Sequence, residues 1–207
     1  MTVSTSAIQT PADLVNDALR RIGFKMRIAS LYDGSEASKI ALDIYGQTRD
    51  ELLRQDDFDF AERSLTMTLL KQAPPGGYIP PVMWSTTYPP LPWMFEYAYP
   101  NDCLKVRAIK PQAIFVLDFD PQPVVFTTAN DFAFVPAQQV ILCNVPNAIM
   151  VYTAQVTDLT TWDVDTVEAF SSALGRRLAP ALVGLNAAKL AVEDEQAAFA
   201  VAEKERG

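Results

Sequence analysis

The stretch from Ala73 to Val106 constrains this 207-residue chain more than any other, because it holds eight of the fifteen prolines and two of the three tryptophans. Each proline removes an amide donor and fixes φ, so Pro74, Pro75, Pro80, Pro81, Pro89, Pro90 and Pro92 exclude a helix or central strand here. The stretch is also too aromatic for a spacer. Disordered linkers lack rings because nothing in them needs burial, whereas Tyr78, Trp84, Tyr88, Trp93, Phe95, Tyr97 and Tyr99 recur every few residues. It reads as an extended arm that leads into a strand and lies against something. Tyr78, Trp84, Tyr88, Trp93, Phe95 and Tyr97 are its candidate contacts to another subunit or protein.

On either side the hydrophobic period is helical. Thr10-Pro11-Ala12-Asp13 offers an N-cap, a proline at the first helical position and an early acid, and Gly23 stands where a C-terminal glycine belongs. A longer amphipathic helix is expected from about Ser35 to Gln55, with Ala37, Ile40, Ala41, Ile44, Thr48 and Leu52 on one face. After Trp162-Asp163, Val167, Phe170, Leu174, Leu178 and Leu182 mark a third, which Pro180 is expected to kink or split. A fourth, from Asn186 to Arg206, is rich in Ala and Glu and marginal alone. It reads as a thin lid or as a tail ordering against a neighbour, with Val192 and Phe199 as its apolar contacts.

Between the helical segments the period falls to two. Ser64–Leu70 alternates, and beyond Pro100 short β-rich runs follow at Leu104–Ile109, Ala113–Phe119, Val124–Thr128, Gln139–Cys143 and Ala148–Val156. The expected fold is therefore α+β: N- and C-terminal helices forming a helical bundle, with an inserted small antiparallel β-sheet or barrel carrying the Pro/aromatic arm. The segments are residues 1–60, 61–156 with the arm at 73–100, and 157–207. Cys103 and Cys143 both lie in strand-like surroundings and are expected to be buried free thiols.

A net charge of −8 argues against a protein that grips nucleic acid through its phosphates, and the two helical segments hold seven of those eight charges. No apolar run reaches the length of a membrane span, and residues 1–11 lack the features of a signal peptide. Histidine is absent, which removes the commonest general base and metal ligand, and with it every Ser-His or Cys-His arrangement. Neither a Gly-x-Gly-x-x-Gly nor a Walker-type phosphate loop occurs, so no cofactor, metal or catalytic residue is expected. The remaining carboxylates are Asp56, Asp57 and Asp59 after the second helix, and Asp118 and Asp120 at a strand end with Asp131 in a nearby turn. Such a pair suits a two-carboxylate hydrolase or a magnesium site, and equally a solvated turn.

Three patches carry a resemblance. Pro92-Trp93-Met94-Phe95-Glu96-Tyr97-Ala98-Tyr99-Pro100-Asn101-Asp102-Cys103-Leu104 resembles the W-x-Y-x-Y-x-x-P-x-D-C-L signature of phage head-to-tail adaptors of the tail tubular protein A type, with Phe95 where tyrosine is usual. Val15-Asn16-Asp17-Ala18-Leu19-Arg20-Arg21-Ile22-Gly23, then Ile28, Leu31, Asp33 and Gly34, is similar to the family's opening pattern. Val151-Tyr152 through Trp162-Asp163, with Phe170, Ala173, Leu174, Arg177 and Leu178, resembles its strand-to-helix passage. The resemblance implies a non-enzymatic virion protein, made in the host cytoplasm, that forms a homo-oligomeric ring of twelve copies. Its implied partners are the portal and the downstream nozzle protein, around a channel through which DNA passes without sequence-specific binding. The alternatives are a carboxylate hydrolase of cell-wall glycan or nucleic acid using Asp118 and Asp120, and a monomeric binding module using the rings of the arm. Replacing both aspartates by asparagine is expected to leave folding and assembly unchanged; loss of a glycan- or nucleic-acid-cleaving turnover would favour the hydrolase.

Overall fold

The computed structural model describes residues 10–78, 83–112 and 124–184, together with Gln196. The chain divides into two compact units, residues 1–56 with 156–207, and residues 57–155.

The first unit holds three described helices, α1 (Pro11–Arg21), α2 (Glu36–Gln55) and α3 (Val164–Leu182), with α3 packed on both α1 and α2. Local chemistry sets their starts. Thr10 caps α1 in a reciprocal box with Asp13, and Ser35 and Asp163 each accept the N–H three residues on. After α1 the chain reverses through Gly23 at φ 75°, where a side chain would be strained. Asn16 then clasps the returning backbone, donating to the Ile28 carbonyl (3.0 Å) and accepting its N–H (2.9 Å).

Leu14, Leu19, Leu53, Phe170, Leu174 and Leu178 are fully buried in this unit. The Phe170 ring meets Tyr45 edge-on at 5.3 Å and Trp162 at 5.5 Å. Arg21 of α1 reaches α3 at Glu168 (3.2 Å) and Ser172 (3.2 Å), while Arg177 of α3 pairs with Glu51 of α2. Close approach of α1 and α3 depends on Gly175, where an added Cβ would stand 3.3 Å from both the Ala18 carbonyl oxygen and Ile22 Cγ2.

The second unit contains seven described strands, β1 (Glu62–Thr66), β2 (Leu69–Gln72), β3 (Phe95–Ala98), β4 (Cys103–Lys110), β5 (Phe126–Asp131), β6 (Gln138–Cys143) and β7 (Ile149–Ala154). All described pairings are antiparallel, in one sheet of order β1-β7-β4 and another of order β2-β3-β6-β5. Tyr97, Ile109, Ile141, Cys143 and Met150 form their shared core. Arg107, with its side chain only 8% exposed, ties the first sheet to its approach segment. It donates to Thr153 Oγ1 (2.9 Å), Glu62 Oε2 (2.9 Å) and the Phe58 carbonyl (2.6 Å). Both cysteines are buried thiols outside any disulfide.

This overturns the expected architecture of a helical bundle carrying one small inserted sheet or barrel: the described residues form three helices, and the strands separate into two antiparallel sheets. The division arises within Ser64–Leu70, expected as one strand. At Met67-Thr68 the chain leaves one sheet for the other, with the Met67 N–H donating to the Ala148 carbonyl (3.0 Å) and the Thr68 carbonyl accepting from Ala98 (2.9 Å). Pro180 does not split α3, because it sits in the last turn with only Ala181 and Leu182 after it. Apart from Gln196, the expected fourth helix lies outside the described residues, as does the strand at 113–119. No helix among the described residues is long and apolar enough to cross a membrane.

Gly175→Val is expected to destabilise the protein by about 1–3 kcal/mol through overpacking against α1. A lowered urea midpoint at unchanged m-value checks this; an unchanged midpoint would mean that the α1–α3 contact yields without cost.

Candidate functional site

Residues 73–94 are the long connection between the paired strands β2 and β3, and the Ala73 N–H closes their base on the Met94 carbonyl (2.8 Å). A proline-rich loop has few amides with which to satisfy its carbonyls, so side chains take over. The Pro89 carbonyl accepts from both the Tyr78 hydroxyl (3.1 Å) and Trp84 Nε1–H (2.8 Å). Tyr78 and Tyr88 meet edge-on at 5.8 Å. The expected extended arm is therefore a loop folded around one of its own carbonyls.

The proposed contact residues divide accordingly. Trp84 is 47% exposed, whereas Tyr78, Tyr88, Trp93 and Phe95 are half-buried. Tyr97 is only 1% exposed, with its hydroxyl donating to the Val145 carbonyl (2.8 Å), so it is a core residue and not a subunit contact. The alternation of β3 explains the correction: Phe95 and Tyr97, stacked at 6.2 Å, point to the apolar core, and Glu96 points the other way. Val192 and Phe199 lie outside the described residues, as do Asp118 and Asp120. Among the described residues no group of three or more Asp, Glu or Cys is arranged to hold a metal. Asp57 is engaged by Lys105 (2.8 Å) and stands 3.5 Å from Arg107 Nε. The Lys105 hydrogen bond is the main reason its carboxyl is held below the ordinary value.

The face of the four-stranded sheet turned away from the core is lined by Lys71 of β2, Glu96 of β3, Val140 and Leu142 of β6, and Ala129 and Asp131 of β5. With Trp84, Tyr88 and Pro90 of the loop, and Phe132 beyond β5, these residues line a half-open cavity of about 640 Å³. Glu96 is the one carboxylate in it that is almost fully buried, at 1% exposure. Lys71 spends its close contact on Asp131 and lies 3.5 Å from Glu96 Oε1, which accepts no hydrogen bond. The Lys71 ammonium also sits 5.6 Å from the Phe134 ring centroid.

Burial, and then a hydrogen bond with Asp131 that only a protonated Glu96 can donate, push the Glu96 carboxyl up to about 7 against the pull of Lys71. For Asp131 burial acts upward, but the Lys71 contact, the Ala133 N–H and Glu96 outweigh it and hold the group below its ordinary value. The two carboxyls thus share a site with unequal claims on one proton. Sequence reading noted Asp131 but missed Glu96 and Lys71. The available signal was a single acid between two aromatics in a strand, Phe95-Glu96-Tyr97, which requires a polar partner on the opposite face.

No family model matches the chain, and no curated protein matches it.

The folded protein holds a proton on Glu96 between the ordinary carboxyl value of 4.5 and about 7, where the unfolded chain has released it. Stability therefore falls as pH rises through that window, and is independent of this group below it. Glu96→Gln is expected to flatten the slope of stability against pH from about 4.5 to 7, and urea midpoints taken across that range test it. An equal slope in wild type and variant would assign the proton elsewhere.

Proposed function

We propose that the chain is a structural virion protein, a head-to-tail adaptor that assembles as a homo-oligomeric ring between portal and tail nozzle and surrounds the channel by which DNA leaves. The carrying observation is a set of exposed apolar side chains on two connections of the sheet unit. Met83 (82% exposed), Trp84 and Leu91 belong to the proline-rich loop, and Phe132 (80%) and Val135 (98%) to the β5–β6 connection, with Trp84 and Phe132 on the same cavity. Exposed large apolar groups that share one site, as Trp84 and Phe132 do, mark a surface meant to be covered. The helical unit exposes a second set, Met26, Tyr32 and Leu42. A closed ring uses two different patches on each subunit, and these two are chemically suited to it.

The three sequence patches that resemble tail tubular protein A adaptors support the same reading and name the partners. The acidic balance of the chain favours a passage that DNA slides through and does not grip.

Light scattering or native mass spectrometry, on the protein alone and mixed with its candidate portal, is expected to show a closed multiple of the chain mass on the portal. Replacing Trp84 and Phe132 together by serine should abolish that species and leave thermal unfolding of the monomer within a few degrees of wild type. A monomer that ignores the portal would overturn the adaptor reading.

A further inference from the structure

The cavity beneath the proline-rich loop has a chemistry that ring formation alone does not explain. With all three groups ionised, Lys71, Glu96 and Asp131 sum to one negative charge, in a site 1% exposed at Glu96 and walled by the rings of Trp84, Tyr88 and Phe132. Lys71 is already engaged by Asp131, and its 3.5 Å separation from Glu96 Oε1 is well beyond the roughly 2.7–2.9 Å of a strong charge-assisted hydrogen bond. A buried carboxylate oxygen with no donor is costly unless something supplies one. Aromatic faces carry negative quadrupole density and attract a cation set against them.

We propose that this cavity receives an arginine side chain presented by another protein chain, its guanidinium donating to Glu96 and its plane and stem lying against Trp84 and Phe132. Arginine fits better than lysine, because a planar, weakly hydrated guanidinium stacks on a ring while donating from its edge. A neutral guest leaves the site's charge uncompensated, and an anionic one adds to it. The arriving cation takes the place of the proton that Glu96 shares with Asp131, so binding releases a proton and strengthens as pH rises. The site stands in one unit of one chain, so this inference holds whether or not the protein forms a ring.

The probe is N-acetyl-arginine amide, titrated into the full-length protein and followed by the backbone amide NMR signals of residues 129–133, which line the cavity, and, where Trp84 is kept, by its indole N–H, which donates to the Pro89 carbonyl. A saturable shift is expected, with affinity rising on the order of tenfold between about pH 5.5 and about pH 8.5. Glu96→Gln should weaken binding about tenfold at the upper pH and remove the pH dependence. Trp84→Ala, which leaves the carboxylates in place, should weaken binding and retain that dependence, so a folding defect in one variant does not mask the result. Absence of a saturable shift, or binding in Glu96→Gln that matches wild type at both pH values, overturns the proposal. So does equal binding of a neutral sugar such as glucose.

Discussion

A carboxyl group cannot be taken out of water without either a proton or a partner, and the sheet unit is built around that constraint at Glu96. β3 must place Phe95 and Tyr97 in the core, and its period of two then sends Glu96 to the opposite face. There β2 supplies Lys71 directly across the ladder, β5 supplies Asp131, and the proline-rich loop contributes Trp84, Tyr88 and Pro90 to the same cavity. If any one strand slipped by a residue, the same side chains would exchange faces, leaving a charge in the apolar core. The ionic cluster and the register of the sheet therefore enforce each other.

The helical unit solves a different problem with different means. Its helices are defined by their caps, and α3 packs on both others, coming closest to the backbone of α1 at Gly175. Around that point the polar links are peripheral: Arg21 with Glu168, whose side chain is 53% exposed, and Arg177 with Glu51. Such pairs fix orientation more than they stabilise. The weight falls on Phe170 and its two aromatic neighbours.

What was legible in the sequence was local. Thr10, Pro11 and Asp13 announce α1, and Ser35 announces α2, because a cap is chemistry between residues three apart. What escaped depends on residues far apart in the chain. The step from one sheet to the other at Met67 is fixed by Ala148 and Ala98, and nothing in Ser64–Leu70 itself marks it. The loop was recognisable as proline-stiffened and aromatic, but its closure on the Pro89 carbonyl is a tertiary outcome. Likewise Glu96 could be seen as an odd acid among rings, whereas Lys71 and Asp131 became its neighbours only through strand order. Pro180 misled for a simpler reason: a proline near a helix end has few downstream turns to disturb.

The base of the proline-rich loop has a consequence for how such a protein changes over time. Residues 73–94 leave and re-enter the sheet through adjacent antiparallel strands, stitched at Ala73 and Met94. Closing such a loop costs only about 0.6 kcal/mol more for each doubling of its length. Its contents can therefore be lengthened, shortened or exchanged while the strands beneath keep their register. The sheet is then a socket that persists, and the loop is the part free to vary.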